Sequence, residues 1–386
     1  MPTKIYTKYF DYAFMIFGVY LYGIHNSQLD YTWLHALNPI FLVLSCGFSL
    51  LSILHNYKWN IFNRIAFLLL FCISVYLRLA YKSNVLASTM LILAAYNIPF
   101  SHIAKMCNRI IIIVLSLVLS SMLLGITEDR LYDRSETEFV QNRYAHDLGF
   151  KYYAFYASLG MGVMQCSIYL WRHNIKIIKV TFLIILAYLI FQFSSTRMQL
   201  YAYIVIISTI LIVTYVPKKI LNNKLLGILA VILYPLICFL IAFVSKYHIL
   251  SLFYDGYAEL NQLLNGRLAL NEEAFMRYDV TLWGNELDLE STIRSSQYYF
   301  FIDSGYVLSL LGNGLIFTST ILILYCILVY KIYKAKAYYL YLWIILYAFL
   351  NITTMLLINL LANPILLLAF SDVDSIHNDY YSEEKS

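Results

Sequence analysis

Asn265-Gly266-Arg267-Leu268-Ala269-Leu270 opens a polar stretch that continues through Glu272-Glu273 and Leu282-Trp283-Gly284 to Ile302-Asp303-Ser304-Gly305-Tyr306. It is the most polar part of an otherwise apolar chain, and long apolar runs fence it on both sides. A loop with Arg and Asp between such runs reads as a polar site held at one face of a bilayer. The composition agrees. Of 386 residues 61% are hydrophobic and 13% charged, with a mean hydropathy of +0.69. Soluble domains carry about 25% charged residues, so an all-α polytopic integral membrane protein is expected.

Working outward, runs long enough to cross the hydrocarbon lie at about 9–25, 37–55, 61–80, 85–100, 109–126, 150–171, 178–194, 199–216, 225–245, 303–330 and 337–356. A last apolar piece, 357–370, contains Asn363-Pro364 and reads as a short span or a broken continuation. With roughly 20 apolar residues per crossing, about 12 spans (11–13) are expected in a single transmembrane domain over 1–370. The polar tail, 371–386, is expected to be cytoplasmic and disordered. The first apolar run lacks a small-residue cleavage site and reads as a span rather than a signal peptide.

Charge sets the orientation. With the N-terminus inside, Lys58, Arg64, Lys105, Arg109, Lys176, Lys179, Lys218, Lys219, Lys331 and Lys334 face the cytoplasm. Apart from Asp11 and the tail, the acids lie outside: Asp30, the group from Glu128 to Asp147, and the group from Asp255 to Asp303. This is the positive-inside pattern, and it removes nucleic acid as the reason for the net charge of +5. Two outer loops are long, about 127–149 and 246–302, whereas the inner loops are short. The 37 Tyr suit membrane interfaces or a groove for sugar or lipid. The six Cys show no CxxC or metal spacing and read as small hydrophobes.

Several residues are candidates for chemistry. Arg267 follows Gly266, and its planar fork suits phosphate oxygens; the plainer reading is a loop arginine paired with Glu272 or Glu273. Arg197, in Ser194-Ser195-Thr196-Arg197, sits at a membrane mouth, facing a cavity or snorkelling to the interface. Arg143, His146 and Asp147 precede Leu148-Gly149-Phe150. His146 is a base candidate, with Asp147 otherwise a helix N-cap. Asp303 stands where the chain re-enters the membrane, where a carboxylate is costly unless paired or functional; it too has an N-cap reading. No HExxH, GxSxG, P-loop or Rossmann pattern occurs, and no ligand spacing calls for a metal or another cofactor.

Taken in order, these elements resemble the Wzy-type O-antigen and capsular polysaccharide polymerases, within the polymerase and O-antigen-ligase superfamily. Ser195-Thr196-Arg197 is similar to the family's arginine in a short outer turn. Leu264-Asn265-Gly266-Arg267-Leu268 resembles its T/N-G-R-x-x-L pattern, and Leu282-Trp283-Gly284 its L-F-G. Ile302-Asp303-Ser304-Gly305-Tyr306 with Leu311-Gly312-Asn313-Gly314-Leu315 resembles D-N-x-Y-x-x-x-L-x-x-x-G-I, and His146 to Phe150 an H-x-L-G-F element. The ligase branch has a His-Asn pair where this chain has Ile302-Asp303, which favours polymerase.

The resemblance implies a metal-independent, GT-C-like membrane glycosyltransferase with its large extracytoplasmic loop before the last spans. It implies lipid-linked oligosaccharide repeat units on undecaprenyl diphosphate as substrates, an active site facing the periplasm or exterior, and a chain-length regulator protein as a partner. The residues then take expected roles. Arg197, Arg267 and Arg143 hold the diphosphate, and His146 or Asp303 serves as base or orienter. Trp283, Tyr298, Tyr299 and Tyr306 stack on sugars. An O-antigen ligase is the nearest alternative. A flippase fits less well, because it should carry charges deep within its spans.

Overall fold

The computed structural model describes residues 4–56, 61–81, 83–133, 144–249, 254–264, 266–289 and 300–371. Arg143, Tyr298, Tyr299 and the tail beyond 371 lie outside the described residues. The chain is mostly helical, as its composition requires. Helix α1 (Lys4–Gly18) continues into a π-helical segment, Val19–His25. It is followed by α2 (Asn38–Asn56), α3 (Ile61–Tyr81), α4 (Val85–Ala94) and α5 (Phe100–Leu123). A small antiparallel ribbon, β1 (Leu131–Asp133) with β2 (Tyr144–His146), pairs Leu131 with His146. Then come α6 (Ala154–Trp171), α7 (Ile177–Ser194), α8 (Arg197–Tyr215), the one-turn α9 (Lys218–Leu221) and α10 (Lys224–Lys246). The polar stretch forms α11 (Tyr254–Leu263) and α12 (Arg267–Arg277). The chain re-enters through α13 (Gly305–Leu308), a π turn (Ser309–Asn313) and α14 (Gly314–Lys334), and α15 (Tyr338–Leu350) ends the helices.

Among the described residues, seven helical stretches are long and apolar enough to cross a membrane: Trp33–Asn56, Arg64–Tyr81, Phe100–Leu123, Ile177–Ser194, Arg197–Tyr215, Lys224–Lys246 and Gly305–Lys334. They differ in what they face. In α7 only Leu183, Ala187 and Ser194 are buried, while Ile177 is 81% and Ile178 72% exposed. Such an apolar outer surface is stable against lipid, not water. By contrast α4 is buried from Ala87 to Ala94, and most of α6 and α15 and about half of α14 are buried too. An inner layer is thus wrapped by lipid-compatible helices. At ten residues α4 spans about 15 Å, half the hydrocarbon thickness, so the expected crossing at 85–100 is a short internal helix.

At 357–370, read as a short span or a broken continuation, no α-helix forms, and the broken continuation holds. The chain there runs through turns into a 3-10 turn, Pro364–Ala369, and is buried almost throughout. Pro364 restricts the residue before it to extended backbone, and three asparagines bind the freed backbone groups. The Asn351 side chain donates to Tyr347 O and accepts from Leu356 N (2.7 and 3.1 Å). Asn359 Oδ1 accepts from Ala362 N (3.0 Å), and Asn363 Nδ2 donates to Leu356 O (3.3 Å) and to Tyr325 OH (3.1 Å). Irregular backbone at membrane depth is tolerated where protein buries it or where it lines a cavity, and this stretch does both.

The two glycine motifs meet. Gly284 (φ +94°) and Gly314 (φ +81°) lie against each other's segments, with Asn285 N donating to Leu311 O and Leu315 N to Thr281 O (3.0 and 2.9 Å). A Cβ on Gly284 would lie 2.3 Å from Gly312 O, and one on Gly314 the same distance from Gly284 N. The Leu282-Trp283-Gly284 and Gly312-Asn313-Gly314 elements are therefore a clamp between the polar stretch and the π turn. Gly284→Ala should lower stability by on the order of 1–3 kcal/mol, read as a lower unfolding midpoint of the detergent-solubilised protein. An unchanged midpoint would mean that the clamp does not exist.

Candidate active site

Connectors at one end of the bundle converge on a cavity of about 330 Å³. Its wall includes Tyr31, Lys151, Phe155, Arg197, Gln199, Arg267, Asp303 and Met355. They come from the turn after α1, the start of α6, the start of α8, the start of α12, the approach to α13 and the irregular stretch after α15. The volume is in the range of ordinary ligand pockets.

Local geometry explains each placement. Ser195, at φ +52°, reverses the chain between α7 and α8, so that Arg197 begins α8 at the cavity. Gly266, at φ +80°, does the same before α12, and Arg267 takes its first helical position. Left-handed backbone costs Gly little, which accounts for Gly before Arg. The Ser304 hydroxyl caps α13 by accepting from Val307 N. Asp303 is therefore not the helix cap, and its carboxylate is available for pairing.

That partner is Arg267, whose Nε lies 2.9 Å from Asp303 Oδ2. The Nε–H does not point at a hydrogen-bonding angle, so the contact is an ion pair rather than a directed bond. Arg267 Nη1 donates to Leu264 O (3.3 Å). The pairing with Glu272 or Glu273 open from spacing does not occur. Glu273 takes Arg277 (2.6 Å), and Glu272 takes Tyr257 OH and His248 Nδ1 (3.0 and 3.3 Å).

Lys151 is a wall residue that the sequence reading did not single out. Its Nζ donates to Asp30 Oδ2 (2.5 Å) and lies over the Tyr31 ring. Burial would raise the Asp30 carboxyl, but hydrogen bonds from Lys151, His35 and Asn38 outweigh it and bring it down to about 2. Asp30 therefore stays ionised and keeps Lys151 fixed at any physiological pH. A signal was present, since Lys151 is a base directly after the acid-rich 127–149 loop. The wall thus carries Lys151, Arg197 and Arg267 against one carboxylate, Asp303. Asp30 balances Lys151 and Asp303 balances Arg267, so three cations stand against two acids, and the excess of positive charge makes a donor set for an anion rather than for a divalent cation.

The other expected site residues lie elsewhere. His146 Nδ1 bonds Asp129 Oδ2 (2.6 Å) and its ring meets Phe193 edge-on, so it does not line the cavity. Its carbonyl accepts from Tyr156 OH of α6. Asp147 is no helix cap, because α6 begins at Ala154. It is fully buried and accepts from Arg130 N, Gly149 N and Gln28 Nε2, tying two loops together. Burial pushes its carboxyl up, against those backbone bonds. Tyr306 is 1% exposed, donates to Ala348 O (2.8 Å) and packs edge-on against Tyr234. It is a core residue and offers no face to a sugar. Trp283 is half exposed, 5.5 Å from the Tyr76 ring, away from the cationic wall.

No family model, curated protein or solved structure matches this chain.

Proposed function

We propose that the protein is a polysaccharide polymerase of the bacterial cytoplasmic membrane, a glycosyltransferase working at the outer face on undecaprenyl-diphosphate-linked repeat units. In this reading the bundle makes about twelve crossings in a GT-C-like arrangement, with short helices completing some of them. The observation that carries the proposal is the convergence of Lys151, Arg197 and Arg267 on one cavity beside Asp303. These residues are far apart in sequence; Arg197, Arg267 and Asp303 fall at positions that resemble the polymerase motifs, and Lys151 directly follows the His146 to Phe150 element.

The chemistry follows from that arrangement. A hydroxyl of the incoming unit attacks the anomeric carbon of the growing chain, forming a C–O bond. The bond from that carbon to the diphosphate oxygen breaks, and undecaprenyl diphosphate leaves with the electron pair. Negative charge builds on the leaving diphosphate, and fixed cations stabilise it most where water is excluded. Arg197 and Arg267 grip the phosphates and Lys151 adds charge. Asp303 accepts the proton lost by the attacking hydroxyl. An arriving diphosphate competes with Asp303 for Arg267, which frees the carboxylate for that task.

The product tests the proposal. In a strain lacking its own repeat-unit polymerase, this chain should restore a ladder of glycan lengths on a gel. Surface glycan of a single repeat, with this protein present at normal level, would contradict polymerisation and turn the reading to a ligase.

A further inference from the structure

Next to the cationic cavity lies a second one, of about 540 Å³, with a different chemistry. The two share Phe155, Met355 and Asn359 as a common wall. Among the described residues no Lys or Arg lines the second cavity, and the one charged side chain on its wall is Glu286. Its polar groups are hydroxyls and amides. Among the described residues, the side chains of Asn26, Ser88 and Asn313 make no hydrogen bond to protein, although all three face this space. Ser88 is 5% exposed.

At the edge stands a cluster of aromatic rings. Tyr81 lines the cavity and donates to Gly284 O (3.1 Å). Tyr76 meets it edge-on, and Trp283 lies 5.5 Å from Tyr76. Tyr76 is 40% and Trp283 47% exposed. An apolar ligand would leave the amides unsatisfied, and an anion would meet the Glu286 carboxylate. A neutral, hydroxyl-rich ligand satisfies the amides, and its C–H faces suit the rings.

We propose that this second cavity is a carbohydrate subsite that binds the uncharged glycan next to the diphosphate site. It rests on the functional reading above for the identity of the glycan. The subsite gives the glycan an orientation relative to the cations, with the Asn359 wall between sugar and phosphate. It also gives Trp283 a role, stacking at the rim of this cavity rather than in the cationic one.

The test is direct binding, with phosphate and lipid removed. The probe is the repeat-unit oligosaccharide released by mild acid from the host's lipid-linked pool and labelled with a neutral fluorophore. Fluorescence anisotropy with the purified full chain reads the affinity. Asn26→Leu and Asn313→Leu remove no protein hydrogen bond, so the fold should persist, which the unfolding midpoint checks. Each should weaken binding at least tenfold. Unchanged binding in both Leu variants, or no binding by the parent chain, overturns the subsite. If the probe binds as expected but no glycan ladder forms in cells, the subsite stands and the polymerase reading falls. If a ladder forms and the probe does not bind, the reverse holds.

Discussion

Arg267→Lys should abolish glycan extension, lowering turnover by about 10²–10³-fold, the usual cost of losing one donor to a developing oxyanion. The charge is kept, so a general electrostatic role would leave activity largely intact. The fork is lost, and with it the geometry. Arg267 is held by Asp303 through Nε and by the Leu264 carbonyl through Nη1, which fixes the guanidinium plane against the cavity. A lysine ammonium is a compact point charge on a flexible stem and cannot hold a carboxylate, a carbonyl and a phosphate in one plane. Substrate-saturated single-turnover rates measure the effect, with immunoblotting to confirm protein level. A rate within threefold of the parent would reduce Arg267 to a loop charge.

Asp303 gives the second large effect, and its sign is informative. Asp303→Asn keeps the shape and removes both charge and proton acceptance. Turnover should fall by about 10²–10⁴-fold, the span of general-base contributions. The cavity meanwhile loses the one carboxylate on its wall, so the lipid-linked diphosphate should bind several-fold more tightly and KM should drop. A residue that only holds the fold would lower protein level and leave the kinetics of the surviving fraction alone. If kcat is unchanged while KM falls, Asp303 tunes binding and the proton goes elsewhere.

The apolar periods and charge bias of the sequence were enough to place helices within most of the expected spans. Chain regions 9–25, 37–55 and 225–245 match helices α1 with its π segment, α2 and α10 closely. The break at 357–370 has a physical cause. Hydropathy counts Leu and Ile, but Asn359 and Asn363-Pro364 decide whether the backbone bonds along a helix or to side chains. The candidate site was legible as a set of residues but not as a set of contacts. Arg197, Arg267 and Asp303 were singled out one by one; their meeting depends on how α8, α12 and α13 pack, which no local pattern carries. His146 was misleading because a base beside an acid-rich loop finds a structural partner there, Asp129. Tyr306 was misleading because a tyrosine near a helix start can turn inward, its hydroxyl satisfied by Ala348 O. Lys151 escaped notice because the positive-inside pattern draws attention to cations on the other side.

The most direct measurement is reconstitution of the purified protein in liposomes with lipid-linked repeat units, following glycan length and released undecaprenyl diphosphate together. The account predicts a ladder of products and one undecaprenyl diphosphate released for each new linkage, both lost with Arg267→Lys. Folded protein that binds the lipid-linked unit yet releases no undecaprenyl diphosphate would contradict it.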